Sequence, residues 1–399
     1  MASSWPELEK QYYLGVFRRA PMTLVRGQGT KVWDSAGREY LDFVAGIAVN
    51  SLGHCHPVVV KALAAQAQTL IHTSNLYYTV PQLRLAELLV KHSGLDKVFF
   101  TNSGAEAVEG CLKVARKYGK EKLNGAYEII CAQGAFHGRT MGTLAATGNP
   151  RYSGPFEPLP LGFVHVPYDD VEAIKRATTE KTCAVMLEPI QGEGGVNVPR
   201  DGYLKAVRRW CDQRGLLFML DEVQTGIGRT GYLFGYEHDG AEPDVMALAK
   251  GMGSGLPIGA FLVKERAAVL VPGDHGSTFA GSPLMCAGSY AAVRHIISRK
   301  LPQRARELGT YFMGRLAAMR EEFPFIVEVR GRGLLVAMEL KGELAQKVVS
   351  AAWGEGLLVN PVKPTALRFA PPLTVTRREL DSCVQRLRRA LQRVGSAGS

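Results

Sequence analysis

Residues 216–226 read LLFMLDEVQTG, an apolar run that ends in two acidic residues. Such an uninterrupted run is typical of a strand that is buried on both faces of a sheet. Asp221 follows the run directly, and burial of a carboxylate there is costly unless a cation lies against it. Further along, residues 247–251 read ALAKG, so Lys250 follows a second apolar run. Because ligands bind at the carboxyl ends of parallel strands, Asp221 and Lys250 are candidates for one site.

Similar apolar runs recur through the middle of the chain, and helical patterns such as 106–118 and 203–213 separate several of them. The predicted strands are 97–101, 127–131, 182–187, 216–220, 245–249 and 260–263. Strands of this kind alternating with helices predict an α/β protein with a mostly parallel central sheet flanked by helices.

The two ends of the chain have a different pattern. Residues 31–33 and 39–43 predict a hairpin, and the last hundred residues combine long helical patterns with a strand-like segment. We therefore expect a large central domain at 55–285 and a smaller α+β domain formed by 1–54 and 286–399.

The formal net charge of the 399 residues is +11, which raises the question of nucleic acid. Many of the basic residues lie in 377–393, where leucines and valines recur at helical spacing. This pattern indicates the solvated face of an amphipathic helix rather than a nucleic-acid-binding surface. A positive field that attracts small anionic substrates is compatible with it.

The seven cysteines are scattered, odd in number and without a C-x-x-C pair. That pattern favours reduced thiols and a cytoplasmic protein over disulfides or zinc. His54 and His56 lie close together but without further ligands, so they predict a loop that caps the next helix rather than a metal site. No apolar run is long enough to span a membrane. We expect no metal, no nucleic acid and no membrane among the partners.

Residues 101–106 read TNSGAE and follow the first predicted strand. Ser103 and Glu106 form the pattern of a capping box, which starts a helix. Gly104 lets the backbone approach a ligand closely, and the free N–H groups at a helix start suit a phosphate. An ordinary capped helix has the same pattern.

Residues 133–140 read QGAFHGRT and follow the next predicted strand. Phe136 is suited to stack on a flat ring, and Arg139 to bind a carboxylate through two hydrogen bonds. Taken singly, Arg139 is also typical of a surface ion pair.

Asp221 and Lys250 each admit a second interpretation. An acid after a strand also fits a magnesium ligand of a nucleotide hydrolase, but no glycine-rich loop ending in Lys and Ser/Thr accompanies it. A lysine after a strand can extend its ammonium group to solvent. Burial would instead lower the pKa of Lys250 and favour the neutral amine that forms Schiff bases. An acid facing a protonated pyridine nitrogen keeps such a ring electron-withdrawing. Together the two residues favour a cofactor site.

With these segments in view, the chain resembles the class III, fold-type-I aminotransferases, and within them the acetylornithine aminotransferases. The motifs that carry the resemblance are NSGAEA at 102–107, FHGRT at 136–140, EPIQGEGG at 188–195, LDEVQTGIGRTG at 220–231, LAKG at 248–251 and HGSTF at 275–279. The resemblance runs nearly end to end. It implies the fold-type-I architecture, pyridoxal 5'-phosphate as cofactor and a homodimer with shared active sites.

The resemblance also implies residue roles. Lys250 would hold the cofactor covalently and move a proton, and Asp221 would pair with the pyridine nitrogen. The cofactor would be bound further by Ser103, Gly104, Ala105, Phe136, Val223, Gln224 and the partner subunit's Thr278. Substrates would be bound by Arg139, Ser277, Glu193 and Arg368. Of these, Arg368 would bind the carboxylate of glutamate or 2-oxoglutarate, and Glu193 would neutralise it when the substrate presents a distal amine.

The reaction implied is transfer of the δ-amino group of N2-acetyl-L-ornithine to 2-oxoglutarate, a step of arginine biosynthesis. N-succinyl-diaminopimelate, succinylornithine, free ornithine and 4-aminobutyrate are alternative donors. Ile47 stands where ornithine aminotransferases have tyrosine, which disfavours free ornithine. Val108, Ala280 and Ser282 depart from the usual pattern of the family beside segments that contact phosphate.

Overall fold

The apolar runs of the sequence form the strands of three sheets in the computed structural model, which describes residues 5–396. The strands are β1 Leu24–Gln28, β2 Lys31–Asp34, β3 Glu39–Asp42, β4 Lys97–Thr101, β5 Glu128–Ala132, β6 Phe163–Val166, β7 Thr182–Leu187, β8 Leu217–Asp221, β9 Val245–Leu248, β10 Gly259–Val263, β11 Ile326–Arg332, β12 Leu335–Leu340, β13 Leu357–Leu358, β14 Asn360–Lys363 and β15 Ala366–Phe369.

Helices cover the sheets and connect their strands. The α-helices are α1 Trp5–Tyr12, α2 Ala45–Ala48, α3 Pro57–Ala67, α4 Val80–Ser93, α5 Gly104–Lys122, α6 Met141–Ala146, α7 Pro150–Ser153, α8 Val171–Ala177, α9 Tyr203–Arg214, α10 Pro283–Ser298, α11 Leu301–Ala318, α12 Ala345–Gly354 and α13 Arg377–Ser396. Short 3-10 helices span Gly154–Phe156, Gly235–His238, Lys250–Met252 and Glu265–Ala267.

The large sheet has seven strands in the order β4-β10-β9-β8-β7-β5-β6. Its central strands β7, β8 and β9 are buried at every position, because helices cover both faces. β10 runs antiparallel to both of its neighbours, whereas the remaining pairs are parallel. The predicted α/β class with a mostly parallel central sheet is confirmed.

Two four-stranded sheets accompany the large one. The first, in the order β1-β2-β3-β13, joins the predicted hairpin to a strand from near the end of the chain. The second, in the order β11-β12-β15-β14, is antiparallel throughout, and we call it the small sheet. Both are formed by strands from outside 55–285. The division into domains at 54 and 285 stays a prediction.

Two local predictions hold in detail. His56 caps α3, because its Nδ1 accepts a hydrogen bond from the backbone N–H of Val58 at 3.3 Å. The apolar side chains of α13 face the core, while Arg388 pairs with Glu322, and Arg389 and Arg393 pair with Glu355. The basic residues of this helix are thus partly neutralised by neighbouring acids.

Two features are absent from residues 5–396. No helix there is long and apolar enough to cross a bilayer. No group of three or more His, Cys, Asp or Glu side chains in that range is arranged to hold a metal ion.

The packing of α11 on the small sheet depends on a glycine. A Cβ added at Gly309 would lie 1.9 Å from the carbonyl oxygen of Gly333, in the turn between β11 and β12. We expect Gly309→Ala to lower the free energy of unfolding by about 1–3 kcal/mol, because the helix must move off the turn. Gly314 in the same helix faces open space. There the alanine substitution should raise stability by up to about 1 kcal/mol. Chemical denaturation would compare them, and equal effects would contradict this packing.

Candidate active site

A cavity of about 540 Å³ opens at the carboxyl edge of the large sheet. Segments that follow β4, β5, β7, β8 and β9 all contribute to its wall. Ten of the residues predicted from the sequence line it: Ser103, Gly104, Ala105, Phe136, Arg139, Glu193, Asp221, Val223, Gln224 and Lys250. Its volume lies within the range of small-molecule sites.

The N-terminus of α5 forms one end of the cavity. Ser103 caps this helix, because its hydroxyl accepts a hydrogen bond from the backbone N–H of Glu106 at 3.2 Å. The Glu106 carboxylate accepts from the backbone N–H of Asn102 at 2.8 Å, one residue earlier than the predicted capping box requires. The first N–H groups of a helix have no partner within it, and here they open toward the cavity. A Cβ at Gly104 would lie 2.8 Å from Val223, so only glycine fits this approach.

Asp221 lies at the end of β8 with 5% of its surface exposed. Its carboxylate accepts hydrogen bonds from His137 Nδ1 at 2.8 Å and from the backbone N–H of Val223 at 3.0 Å. The bond to Asp221 fixes the proton of His137 on Nδ1. Sequence reasoning missed His137 as a partner, although it lies in the FHGRT motif. His137 could have been suspected, because a buried acid needs a nearby hydrogen-bond donor.

Lys250 is half-buried in the cavity wall and has a φ of 35°, a left-handed conformation that lysine rarely adopts. Burial lowers the pKa of Lys250, and Glu193 and Asp221 partly oppose that shift. A strained backbone that persists at a reactive position is typical of functional sites. The lowered pKa favours the neutral amine expected from the sequence.

Glu193 and Arg368 form an ion pair beside the cavity. Arg368 Nη1 lies 2.5 Å from Glu193 Oε1 and 3.2 Å from Gln224 Oε1, and Arg368 itself is only 1% exposed. Burial acts to raise the pKa of Glu193, but the positive charges of Arg368 and Lys250 outweigh it and hold that pKa below its usual value. Glu193 lines the cavity, whereas Arg368 lies behind it. The carboxylate therefore stands between the cavity and the guanidinium.

Glu188 is a second buried acid of the cavity wall that sequence reasoning did not assign. Its two carboxylate oxygens accept hydrogen bonds from the backbone N–H groups of Phe136 and Gly192, each at 3.2 Å. Burial, and next the negative charge of Asp221, raise the pKa of Glu188 well above its usual value. Glu188 thereby joins the loop that carries Phe136 to the loop that carries Glu193.

Arg139 also lines the cavity, and it lies against two aromatic rings. Its guanidinium carbon is 4.0 Å from the centre of the Tyr152 ring and 5.5 Å from that of Phe136. The two rings meet edge to face with centres 6.0 Å apart. Such contacts restrict the arginine while leaving its N–H groups available to a carboxylate.

Three predicted site residues lie outside the cavity lining: Ser277, Thr278 and Arg368. The Ser277 hydroxyl accepts a hydrogen bond from Asn102 Nδ2 at 3.1 Å, beside the start of α5. Thr278 is exposed. Ile47 is 43% exposed and also lies outside the lining, whereas the nearby Val49 is part of it.

The residues present fit a phosphorylated pyridine aldehyde. A half-buried lysine with a lowered pKa is available to bind the aldehyde. The helix start at Gly104 and Ala105 offers N–H donors to a phosphate. Asp221, held by His137, is available to a protonated ring nitrogen. Phe136 and Val223 line the same cavity as these groups.

Comparison with known proteins gives matches over nearly the whole chain. The family model described as aminotransferase class-III matches residues 16–391. An acetylornithine aminotransferase of Caldanaerobacter subterraneus subsp. tengcongensis is 52% identical over 378 residues, which cover 94% of this chain and 96% of that protein. One of Methanocaldococcus jannaschii is 50% identical, with 96% and 97% covered.

A solved structure agrees with these matches. The ornithine aminotransferase of Toxoplasma gondii has a TM-score of 0.95 and 36% identity, with 98% of this chain and 95% of that chain covered. Together with the cavity, these likenesses confirm the family predicted from the motifs. This chain belongs to the class-III aminotransferases, which depend on pyridoxal 5'-phosphate.

Proposed function

We propose that this enzyme transfers the δ-amino group of N2-acetyl-L-ornithine to 2-oxoglutarate, giving N-acetyl-L-glutamate 5-semialdehyde and L-glutamate. The observation that carries the proposal is the Glu193–Arg368 pair at the cavity wall. The distal amine of a donor would contact the Glu193 carboxylate. A dicarboxylate substrate would instead bind Arg368 in place of Glu193. One cavity can thus accept both substrates in turn. Relatives 50% and 52% identical that carry the acetylornithine aminotransferase name support this choice of donor.

The residues of the cavity have separate tasks in this proposal. The bound cofactor would supply electron withdrawal from the carbon that carries the transferred amino group. Lys250 would hold the cofactor and, as a neutral amine, take and return the proton at that carbon. Asp221 would keep the ring nitrogen protonated. Gln224 would contact the ring hydroxyl, and Phe136 and Val223 would enclose the ring.

Substrate orientation falls to the two arginines. Arg139, restrained by Tyr152, would bind the α-carboxylate of the acylated donor, and Ser277 would assist it. Arg368 would bind the carboxylate of 2-oxoglutarate after Glu193 has moved away. Free ornithine is the second candidate donor, because the Toxoplasma gondii structure that resembles this chain is an ornithine aminotransferase.

We further propose that the enzyme acts as a homodimer. Leu76, Tyr77 and Tyr78 are each more than two-thirds exposed. This segment packs beside residues 277–280, because Asn75 donates hydrogen bonds to the carbonyls of Ser277 and Ala280. Exposed apolar residues grouped in this way are typical of an interface. A second copy on this surface would bring Thr278 to its partner's cavity.

The working compartment that we propose is the cytoplasm. All seven cysteines are free, and six of them are buried. Reduced thiols are typical of that compartment.

The choice between acetylornithine and ornithine can be tested in a single half-reaction. Cofactor-loaded enzyme is mixed with either donor in the absence of keto acid, and the absorption of the lysine-bound cofactor is followed. We expect acetylornithine to react at least about tenfold faster, because the free α-ammonium of ornithine adds a positive charge near Arg139. Faster reaction of ornithine would contradict the proposed donor and leave the family assignment intact.

The homodimer can be tested by placing charge on its proposed interface. Leu76→Asp combined with Tyr78→Asp should give monomers with weaker cofactor binding, because a carboxylate cannot be buried there unpaired. Light scattering would measure the mass. Leu161→Asp is the control, since Leu161 is 84% exposed and lies outside this surface. A dimer that survives the double substitution would exclude this surface as the interface.

The burial of Lys250 predicts a pH dependence of stability. The folded protein lowers the pKa of Lys250 below 10.5, so the unfolded chain binds more protons between the lowered pKa and that value. Lys250 therefore makes the cofactor-free protein more stable as the pH rises through this window. Relative to Lys250→Met, the wild type should gain stability toward about pH 10 in chemical denaturation. A difference that does not change with pH would show that Lys250 is not desolvated.

A further inference from the structure

Two arginines lie side by side on the small sheet. Arg330 of β11 is directly opposite Ala337 of β12, and Ala337 is directly opposite Arg368 of β15. Directly opposed residues of antiparallel strands project from the same face. Arg330 and Arg368 therefore share one face, and the small side chain of Ala337 separates them.

Both arginines bind the loop of residues 192–195, which we call the glutamate loop. Arg368 donates to the carbonyl of Gly192 at 3.3 Å and pairs with Glu193. Arg330 donates to the carbonyl of Gly195 through Nε at 3.1 Å and through Nη2 at 2.7 Å. The loop is thus held at both ends, and Arg330 holds it through the backbone alone.

Arg330 is itself fixed by two carboxylates on the same sheet. Its Nη1 lies 2.9 Å from Glu328 and its Nη2 lies 2.7 Å from Glu339. Burial acts to raise the pKa of Glu339, but its hydrogen bonds with Thr365 and Arg330 outweigh this and keep that pKa low. Glu339 therefore stays charged at neutral pH and keeps the guanidinium in place.

The peptide that Arg330 holds lies in an unfavourable conformation. Gly195 has a φ of 119°, and the next residue, Val196, has a φ of 54°. A positive φ is a true outlier for a β-branched residue and persists only when its surroundings impose it. Val196 is fully buried against the small sheet, and Arg330 binds the carbonyl immediately before it. Without that bond we expect the glutamate loop to relax.

We propose that Arg330 is a positioning residue that sets the strength of the Glu193–Arg368 pair, and thereby the preference between amine donor and dicarboxylate. The proposal rests on the substrate exchange at Arg368 described under Proposed function. By fixing Gly195, Arg330 holds Glu193 against Arg368 and makes a dicarboxylate compete for that guanidinium. When the loop relaxes, Arg368 becomes more available to a dicarboxylate. Its positive charge is then less fully neutralised by Glu193 when an amine donor is bound.

The proposal can be tested by equilibrium binding of glutarate, a dicarboxylate that lacks a keto group and cannot react. Calorimetry on the cofactor-loaded enzyme would compare the wild type with Arg330→Met. We expect the variant to bind glutarate roughly fivefold more tightly, the lower end of typical coupling between sites. Arg332→Met is the matched control. Arg332 lies on the same strand and pairs with exposed Asp201 at 2.7 Å, but it makes no hydrogen bond or ion pair with the glutamate loop.

The double variant separates a positioning role from general damage. Glu193→Gln should itself tighten glutarate binding, because it removes the competing carboxylate. In that background Arg330→Met should add nothing beyond about twofold, because its effect acts through Glu193. In the complete transamination, Arg330→Met should raise the KM for the amine donor and leave kcat nearly unchanged. Arg330→Lys, which keeps one donor for Gly195, should partly restore the wild-type KM.

Each remaining outcome has a definite meaning. Unchanged glutarate affinity in Arg330→Met, with tighter binding in Glu193→Gln, would overturn the role of Arg330 and leave the substrate exchange standing. Unchanged affinity in both would refute the exchange itself, and the role of Arg330 falls with it. Should Arg330→Met fail to fold, Glu339→Gln loosens the same guanidinium and should tighten glutarate binding in the same direction. No change in that variant would likewise count against the proposal.

Discussion

An acidic or basic group buried at the carboxyl edge of the large sheet needs either an opposite charge or hydrogen-bond partners, and the structure around the cavity follows from this constraint. Glu188 and Glu193 lie five residues apart in one segment, yet their pKa values are shifted in opposite directions. Glu188 is buried beside the Asp221 carboxylate, whereas Glu193 faces Arg368 and Lys250. The first is therefore suited to hold backbone amides, and the second to act as an exchangeable counter-ion. Neighbours, rather than residue type, decide the two roles.

Much of the large sheet could be predicted because its central strands are buried on both faces. β7 and β8 are apolar at nearly every position, so an uninterrupted run marks each of them. Such a run carries no information about direction, and the antiparallel orientation of β10 could not be foreseen. β6 and β11 were missed for another reason. Both are edge strands without a long apolar run, because β6 has only four residues and β11 alternates charged residues with apolar ones. Neither therefore has the uninterrupted run that marks the strands buried on both faces.

The candidate site was predictable to the extent that it follows strand ends. Asp221 and Lys250 come directly after apolar runs, and parallel topology places such positions together. The partners of these residues were not predictable from position along the chain. His137 reaches Asp221 across 84 residues, and Arg330 reaches Gly195 across 135. The first contact arises when β5 and β8 join one sheet, and the second arises when the small sheet packs against the loop that follows β7.

Arginines that bind backbone carbonyls join the large sheet to the small sheet, and we call this contact region the seam. Arg229, in the loop after β8, is 1% exposed and donates to the carbonyls of Leu334 at 3.1 Å and Pro371 at 2.5 Å. Burial lowers the pKa of Arg229 to about 9, so it remains charged at neutral pH. A backbone carbonyl neither titrates nor leaves with a substrate, so the bonds of Arg229 and Arg330 do not depend on which substrate is bound. Arg368 differs because a side-chain carboxylate satisfies it, and a dicarboxylate of matching chemistry can take that place. Because the bonds of Arg229 and Arg330 stay in place, the Glu193–Arg368 contact can be exchanged while the two sheets remain packed together.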